Sequence, residues 1–241
     1  TAVEPEEEGG ETTYINKDLW SNVNNWLVNG AVPTALPGDD STVIFPAGDD
    51  VTVTVNGAHT GNMTIERNVT LAAENVSGGA YLYLNQISGT GKLTLKGASS
   101  SRYLRLALGG DFEIDTDLEV KSYVYLGNNG AKTLVVKGAL SGDGSISCNG
   151  NNDAGIAFYG DTSAFSGSYT GGLRNNGNRD NTKFRGNARG SALASWHFCG
   201  YGNTLATPFE VDGVTYQFGS LNTYAGEYKR LTLAGRTSTT I

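Results

Sequence analysis

From Tyr81 onward the chain alternates apolar with polar or aromatic positions in short runs that recur: Tyr81-Leu82-Tyr83-Leu84, Tyr103-Leu104-Arg105-Leu106, Tyr123-Val124-Tyr125-Leu126 and Ser145-Ile146-Ser147-Cys148. Successive side chains of a strand point to opposite faces, so Leu82/Leu84, Leu104/Leu106, Val124/Leu126 and Ile146/Cys148 share one inward face. The runs return every 20 to 22 residues or so, a spacing that belongs to a coiled repeat and not to hairpins, whose loops hold about two to five residues. This pattern predicts an all-β, single-stranded, right-handed parallel β-helix, a β-solenoid in which like positions of consecutive coils sit above one another.

A second ladder follows the first: Lys92-Leu93-Thr94-Leu95-Lys96, Asp111-Phe112-Glu113-Ile114-Asp115 and Thr133-Leu134-Val135-Val136-Lys137. Equal offsets put Lys92 over Asp111, and Lys96 over Asp115 over Lys137. Such exposed pairs help set register, at about 0 to 1 kcal/mol each. Weaker rungs precede at Thr42 to Phe45, Val51 to Val55, Met63 to Ile65 and Val69 to Leu71. Glycine-rich links such as Gly89-Thr90-Gly91 and Gly142-Asp143-Gly144 suit tight corners.

The pattern loosens after about residue 150, through Asn149 to Asn152 and Arg174 to Asn178, and strands resume at Ile156 to Tyr159, Ser195 to Phe198, Val214 to Phe218 and Leu231 to Leu233. A solenoid end leaves open strand edges unless it is capped. Trp20 and Trp26 are the expected N-terminal cap, within residues 13–40 of a single domain spanning 13–241.

Glycine supplies 34 of 241 residues and proline 5, a punctuation that fits many short strands better than helices. The formal net charge is −7, of which Glu4, Glu6, Glu7, Glu8 and Glu11 account for five. The remainder is nearly neutral, without the basic field that nucleic acid requires, so no nucleic acid partner is expected. Residues 1–12 read as an acidic, solvated tether or an ordinary disordered terminus. The chain opens on Thr1 without a basic or apolar leader, and the expectation is a start just after a removed export signal. Cys148 falls at an inward position and reads as a small buried hydrophobe. A disulfide to Cys199 is the alternative open to an exported protein.

Trp20, Asn25-Trp26 and Pro37 to Phe45 together resemble the opening coil of bacterial autotransporter-like and related surface β-helix proteins. Gly89 to Gly97 and Ala164 to Gly171 resemble their passenger-associated strand repeats, and Tyr216 to Leu221 and Leu231 to Gly235 are similar. The resemblance covers most of the chain after Asp18 and implies an exported right-handed β-helix, an adhesive or stalk-like segment located on the outer membrane or released outside the cell. No translocating barrel follows Ile241, so a passenger-like segment is expected rather than a complete autotransporter. The acidic leader is similar to the segment after the lipidated cysteine of surface lipoproteins, although that cysteine is absent here. Membrane attachment is therefore expected only through an N-terminal lipid anchor outside the sequence. These motifs bear on fold far more than on activity.

The outward positions of the first ladder offer the best candidate site. Tyr81, Tyr103 and Tyr123 are expected in one column, with Tyr83, Arg105 and Tyr125 in the next. Flat rings on a rigid sheet stack on the apolar faces of sugars, and Arg105 adds hydrogen bonds or sits over a ring. The same rings also suit plain cross-strand packing. Trp196 and Phe198 alternate onto one face and read as core, and His59 reads as a turn residue, as do Asp39 and Asp40 as turn formers. No catalytic residue, metal site or cofactor is expected. Asn62, Asn68 and Asn75 open N-glycosylation-like triplets that read here as β-rich sequence.

The function expected is a bacterial surface or secreted spacer or adhesin that binds a glycan or another host or cell-surface ligand. One alternative is a polysaccharide lyase or glycoside hydrolase of β-helix fold, for which Asp111, Glu113, Asp115 and Asp117 are the strongest acid cluster. Another is a protein interaction module that docks a second copy or a neighbouring domain.

Overall fold

The computed structural model describes residues 11–14, 19–73, 79–128, 133–150, 155–171, 182–198 and 214–223. In chain order, β1 (Glu11–Tyr14) and β2 (Trp26–Val28) flank a 3-10 turn over Val23–Asn25. The following turns contribute β3 (Thr42–Phe45) and β4 (Val51–Val55), then β5 (Ala58–His59), β6 (Asn62–Ile65) and β7 (Val69–Ala73), then β8 (Ala80–Ser88) and β9 (Leu93–Lys96). Next come β10 (Leu104–Asp115) and β11 (Leu118–Lys121), then β12 (Tyr123–Asn128), β13 (Thr133–Val136) and β14 (Leu140–Ser141). The chain continues with β15 (Ser145–Gly150), β16 (Gly155–Phe158), β17 (Ser168–Gly171), β18 (Lys183–Phe184), β19 (Gly190–Phe198) and β20 (Gln217–Thr223).

Apart from the antiparallel β1–β2 pair, every pairing between these strands is parallel and joins one turn to the next, which makes a β-solenoid of about six turns. Each regular turn has three faces. β5, the first half of β8, the first half of β10, β12, β15 and β17 form one face. The second comprises β3, β6, the far ends of β8 and β10, β13, β16 and β18. The third is the five-stranded sheet β4, β7, β9, β11 and β14.

The core is a set of inward columns. Leu82, Leu106, Leu126 and Cys148 are in register on the first face. On the third face Val51, Val69, Leu93, Leu118 and Leu140 are in register. All nine are buried. Each such aliphatic side chain contributes roughly 1.5–3 kcal/mol on leaving water, and only the neighbouring turns supply the cover. Toward the C-terminal end the columns turn aromatic. Phe158, Phe165, Tyr169, Phe184, Trp196 and Phe198 are all buried, and Trp196 meets Phe184 with ring centroids 5.1 Å apart and Tyr169 at 5.3 Å. Trp196 and Phe198 are thus core, as their alternation predicts.

Two tryptophans pack together in the first turns. Trp20 and Trp26 are buried edge to face at 4.7 Å, and the Trp26 indole N–H donates to the Trp20 carbonyl at 2.9 Å. β2 pairs with the edge of β1, and the Trp20 backbone N–H donates to the Thr54 carbonyl at 2.9 Å, toward the end of β4.

Three sequence expectations are corrected. The turns are less uniform than 20 to 22 residues: hydrogen-bonded positions on neighbouring turns lie 18 residues apart for Asn68 and Asp50, 25 for Thr94 and Glu119, and 28 for Thr162 and Gly190. Second, Leu106 pairs with Leu82, so Arg105 faces Tyr81, and Tyr103 does not. The two-residue slip keeps every side chain on its face because the strand period is two. It arises from a tight excursion after β9, closed by the Ala98 N–H to Arg102 carbonyl bond at 2.8 Å. Gly79 makes room for it, since a Cβ there would overlap the ring of Tyr103.

Third, Lys92 and Lys96 do not stack on Asp111 and Asp115. The bent strand β10 carries Glu113 and Asp115 round onto the second face, and β9 pairs with β11 on the third. Lys92 and Lys121 both hold Glu119, at 3.0 and 3.1 Å, and Lys96 lies in register with Lys121. Lys137 does reach Asp115, at 3.8 Å, and Glu113 at 2.5 Å. The strand expected at Val214 runs over Gln217–Thr223, and the one expected at Leu231 to Leu233 lies outside the described residues, as does Cys199.

Corners demand small residues where backbones of successive turns touch. A Cβ on Gly138 would fall within the van der Waals envelope of the Thr116 carbonyl, and one on Gly160 within that of Gly138. Gly138→Ala is expected to lower stability by about 1–3 kcal/mol, read as a fall in the urea midpoint. An unchanged midpoint would mean that the corner has slack.

Burial pushes the Glu119 carboxyl up, but hydrogen bonds from Lys92, Lys121 and Thr94 outweigh it and hold the group below its ordinary value. A carboxylate depressed in the folded state stabilises above its unfolded pKa of about 4.3, and that contribution disappears as pH falls through the folded value. The lysines are half exposed, so solvent screens the contribution. Glu119→Gln is expected to lower the urea midpoint at pH 7 and to lower it progressively less as the pH falls below about 4.3.

Candidate functional site

The outward side of the first face carries the six candidate residues. Leu82, Leu106 and Leu126 anchor the strands from behind, so alternation turns Tyr81, Tyr83, Tyr103, Arg105, Tyr123 and Tyr125 outward. In register, Tyr81, Arg105 and Tyr125 form one column, which Ser147, Thr170 and His197 continue. Tyr123 heads a second column through Ser145, Ser168, Ser195 and Ser220, and Tyr103 directly precedes the paired Leu104. The face is therefore aromatic over its first turns and hydroxyl-bearing over its last. Ser145 and Ser168 lie 2.8 Å apart and Ser195 and Ser220 2.7 Å apart.

The rings form a connected band. Tyr81 and Tyr83 are near-parallel, with centroids 6.2 Å apart and 14° between planes. The Arg105 guanidinium lies over the Tyr81 ring at 5.5 Å, and Tyr103 and Tyr125 are 4.1 Å apart. Tyr83 and Tyr123 keep 36% and 42% of their surface exposed, which leaves ring area open to a ligand.

Two residues read as turn formers join this band. His59 lies in β5 opposite Tyr83, stacked on its ring at 4.5 Å and 19°. Its Nδ1 is 2.9 Å from Asp39 Oδ1. His59, Asp39, Thr60, Tyr83, Leu84 and Asn85 line a cleft of about 310 Å³. The signal was present in the spacing, because Asp39 precedes His59 by 20 residues, one turn of the repeat. Asp39 does also serve the turn, where the Gly38 N–H donates to Ser41 Oγ at 2.9 Å.

The acid cluster does not gather. Glu113 and Asp115 share Lys137, while Asp117 Oδ1 accepts the Ala139 N–H at 2.9 Å and so bridges two turns at a corner; the Asp111 side chain lies outside the description. Among the described residues, no three His, Cys, Asp or Glu side chains come close enough together to hold a metal ion.

A hydrogen bond from the Tyr103 hydroxyl, aided by Arg105 and opposed by burial, holds Tyr81 below the ordinary tyrosine value. The same bond, with burial, pushes Tyr103 up. In a spectroscopic titration of tyrosinate, Tyr81 is expected to ionise first of the pair, and Tyr103→Phe to move it back toward the ordinary value. A Tyr81 titration unaffected by Tyr103→Phe would break this pairing. No family model, curated protein or solved structure matches the chain.

Proposed function

We propose that this chain is an exported bacterial β-solenoid, placed at the cell surface or outside the cell, that acts as a rigid spacer or adhesin and binds saccharides through its aromatic face. The observation that carries the reading is the band formed by His59, Tyr83, Tyr81, Arg105, Tyr125 and Tyr103. A sugar ring has an apolar C–H face that stacks on a flat aromatic and a rim of hydroxyls that takes hydrogen bonds. The strands behind the band are fixed by fully buried leucines, so little ordering is left for the moment of binding.

Neighbouring turns are about 4.8 Å apart, so rings on successive turns offer a row of stacking positions along the axis. The acidic N-terminal segment and the passenger-like strands are what favour a surface or secreted setting, with a glycan or another host or cell-surface ligand as partner and attachment through an N-terminal lipid anchor. The lyase or hydrolase alternative is disfavoured because Glu113, Asp115 and Asp117 are already engaged by Lys137 and the Ala139 N–H.

Each stacked ring is expected to supply about 1 kcal/mol, so Tyr83→Ala and Tyr123→Ala should each weaken saccharide binding by roughly fivefold while circular dichroism stays unchanged. Binding on a glycan array followed by calorimetry measures this. Affinity retained by the double variant would remove the aromatic band as the site.

A further inference from the structure

Several partly covered charges on the outer surface of the solenoid have charged or carbonyl partners. Lys92 and Lys121 hold Glu119, and Lys137 holds Glu113 and Asp115. Arg67 spreads its guanidinium over the carbonyls of Pro46, Ala47 and Asp49. Lys96 is exposed and meets water.

Arg185 and Arg189 also lie over tyrosine rings, of Tyr159 and Tyr216, and donate to the Tyr159 hydroxyl and the Ala188 carbonyl. Arg105 shares the ring contact, but its Nε has no such acceptor. It is half-buried, and among the described residues no carboxylate lies within ion-pair distance of it. Its Nε is buried with no hydrogen-bond acceptor. Its neighbours in register on both sides are tyrosines, Tyr81 and Tyr125. A guanidinium drawn partly out of water needs an anion or a set of acceptors to offset the loss of hydration. Ring faces supply part of that, but a phenol is no substitute for a carboxylate, which takes the guanidinium fork with two parallel bonds.

We infer that Arg105 is the anion-recognition point of the aromatic face, where the carboxylate or sulfate of an acidic saccharide docks while its sugar ring rests on the neighbouring tyrosines. The inference rests on the saccharide reading above and names its ligand class.

The test uses the full chain on an array of uronate-, sialate- and sulfate-bearing oligosaccharides beside their neutral counterparts, with calorimetry on the best pair. The intact protein is expected to favour the acidic member by tenfold or more. Arg105→Gln should reduce the ratio of acidic to neutral affinity to about one, whereas Arg105→Lys should keep part of it, with both variants checked by their unfolding midpoints. Equal binding of acidic and neutral members, unchanged by Arg105→Gln, overturns the inference and leaves the saccharide reading standing. Binding of neither member overturns both. Inorganic sulfate alone binding as tightly as the acidic saccharide also overturns it, since the rings would then contribute nothing.

Discussion

The structure depends on one constraint, the stacking of like upon like between parallel turns. No single turn of this chain encloses a core. Leu82 is buried because Leu106 lies over it, and Leu106 because Leu126 does. The same ladder that ties the backbones together fixes the columns, so register and core are one property. Corners obey the constraint most strictly: at Gly138 and Gly160 the backbones approach so closely that no side chain fits.

The outer surface inherits its order from this inner one. Nothing on the solvent side compels Tyr81, Arg105 and Tyr125 to align; they do so because the leucines beside them in sequence are held by the turns above and below. A surface built this way has its geometry set by strands rather than by loops. The matched charges of the third face show the alternative use of the same ladder, where Lys92, Lys121 and Glu119 serve the fold.

Much of this was legible in the sequence because alternation with a period of two survives any even slip. The inward and outward residues of the first ladder and the buried places of Cys148, Trp196 and Phe198 all follow from it. What alternation does not encode is how many residues each corner consumes. The excursion from Ala98 to Arg102 moved Arg105 over Tyr81, and the bend within β10 carried Glu113 to another face. His59 and Asp39 escaped notice for the same reason: a two-residue strand beside a turn has too little alternation to stand out, although their separation matches one turn. The aromatic end of the core was equally hard to foresee, since Phe158, Phe184 and Trp196 meet across different faces of the coil.

The placement of the three tryptophans has an optical consequence. Trp20 and Trp26 sit at the start of the stack and Trp196 near its other end, while the turns between are furnished with tyrosine. Indole emission will therefore sense the first turns and the turn of Trp196, and none of the turns between them, without any label being introduced.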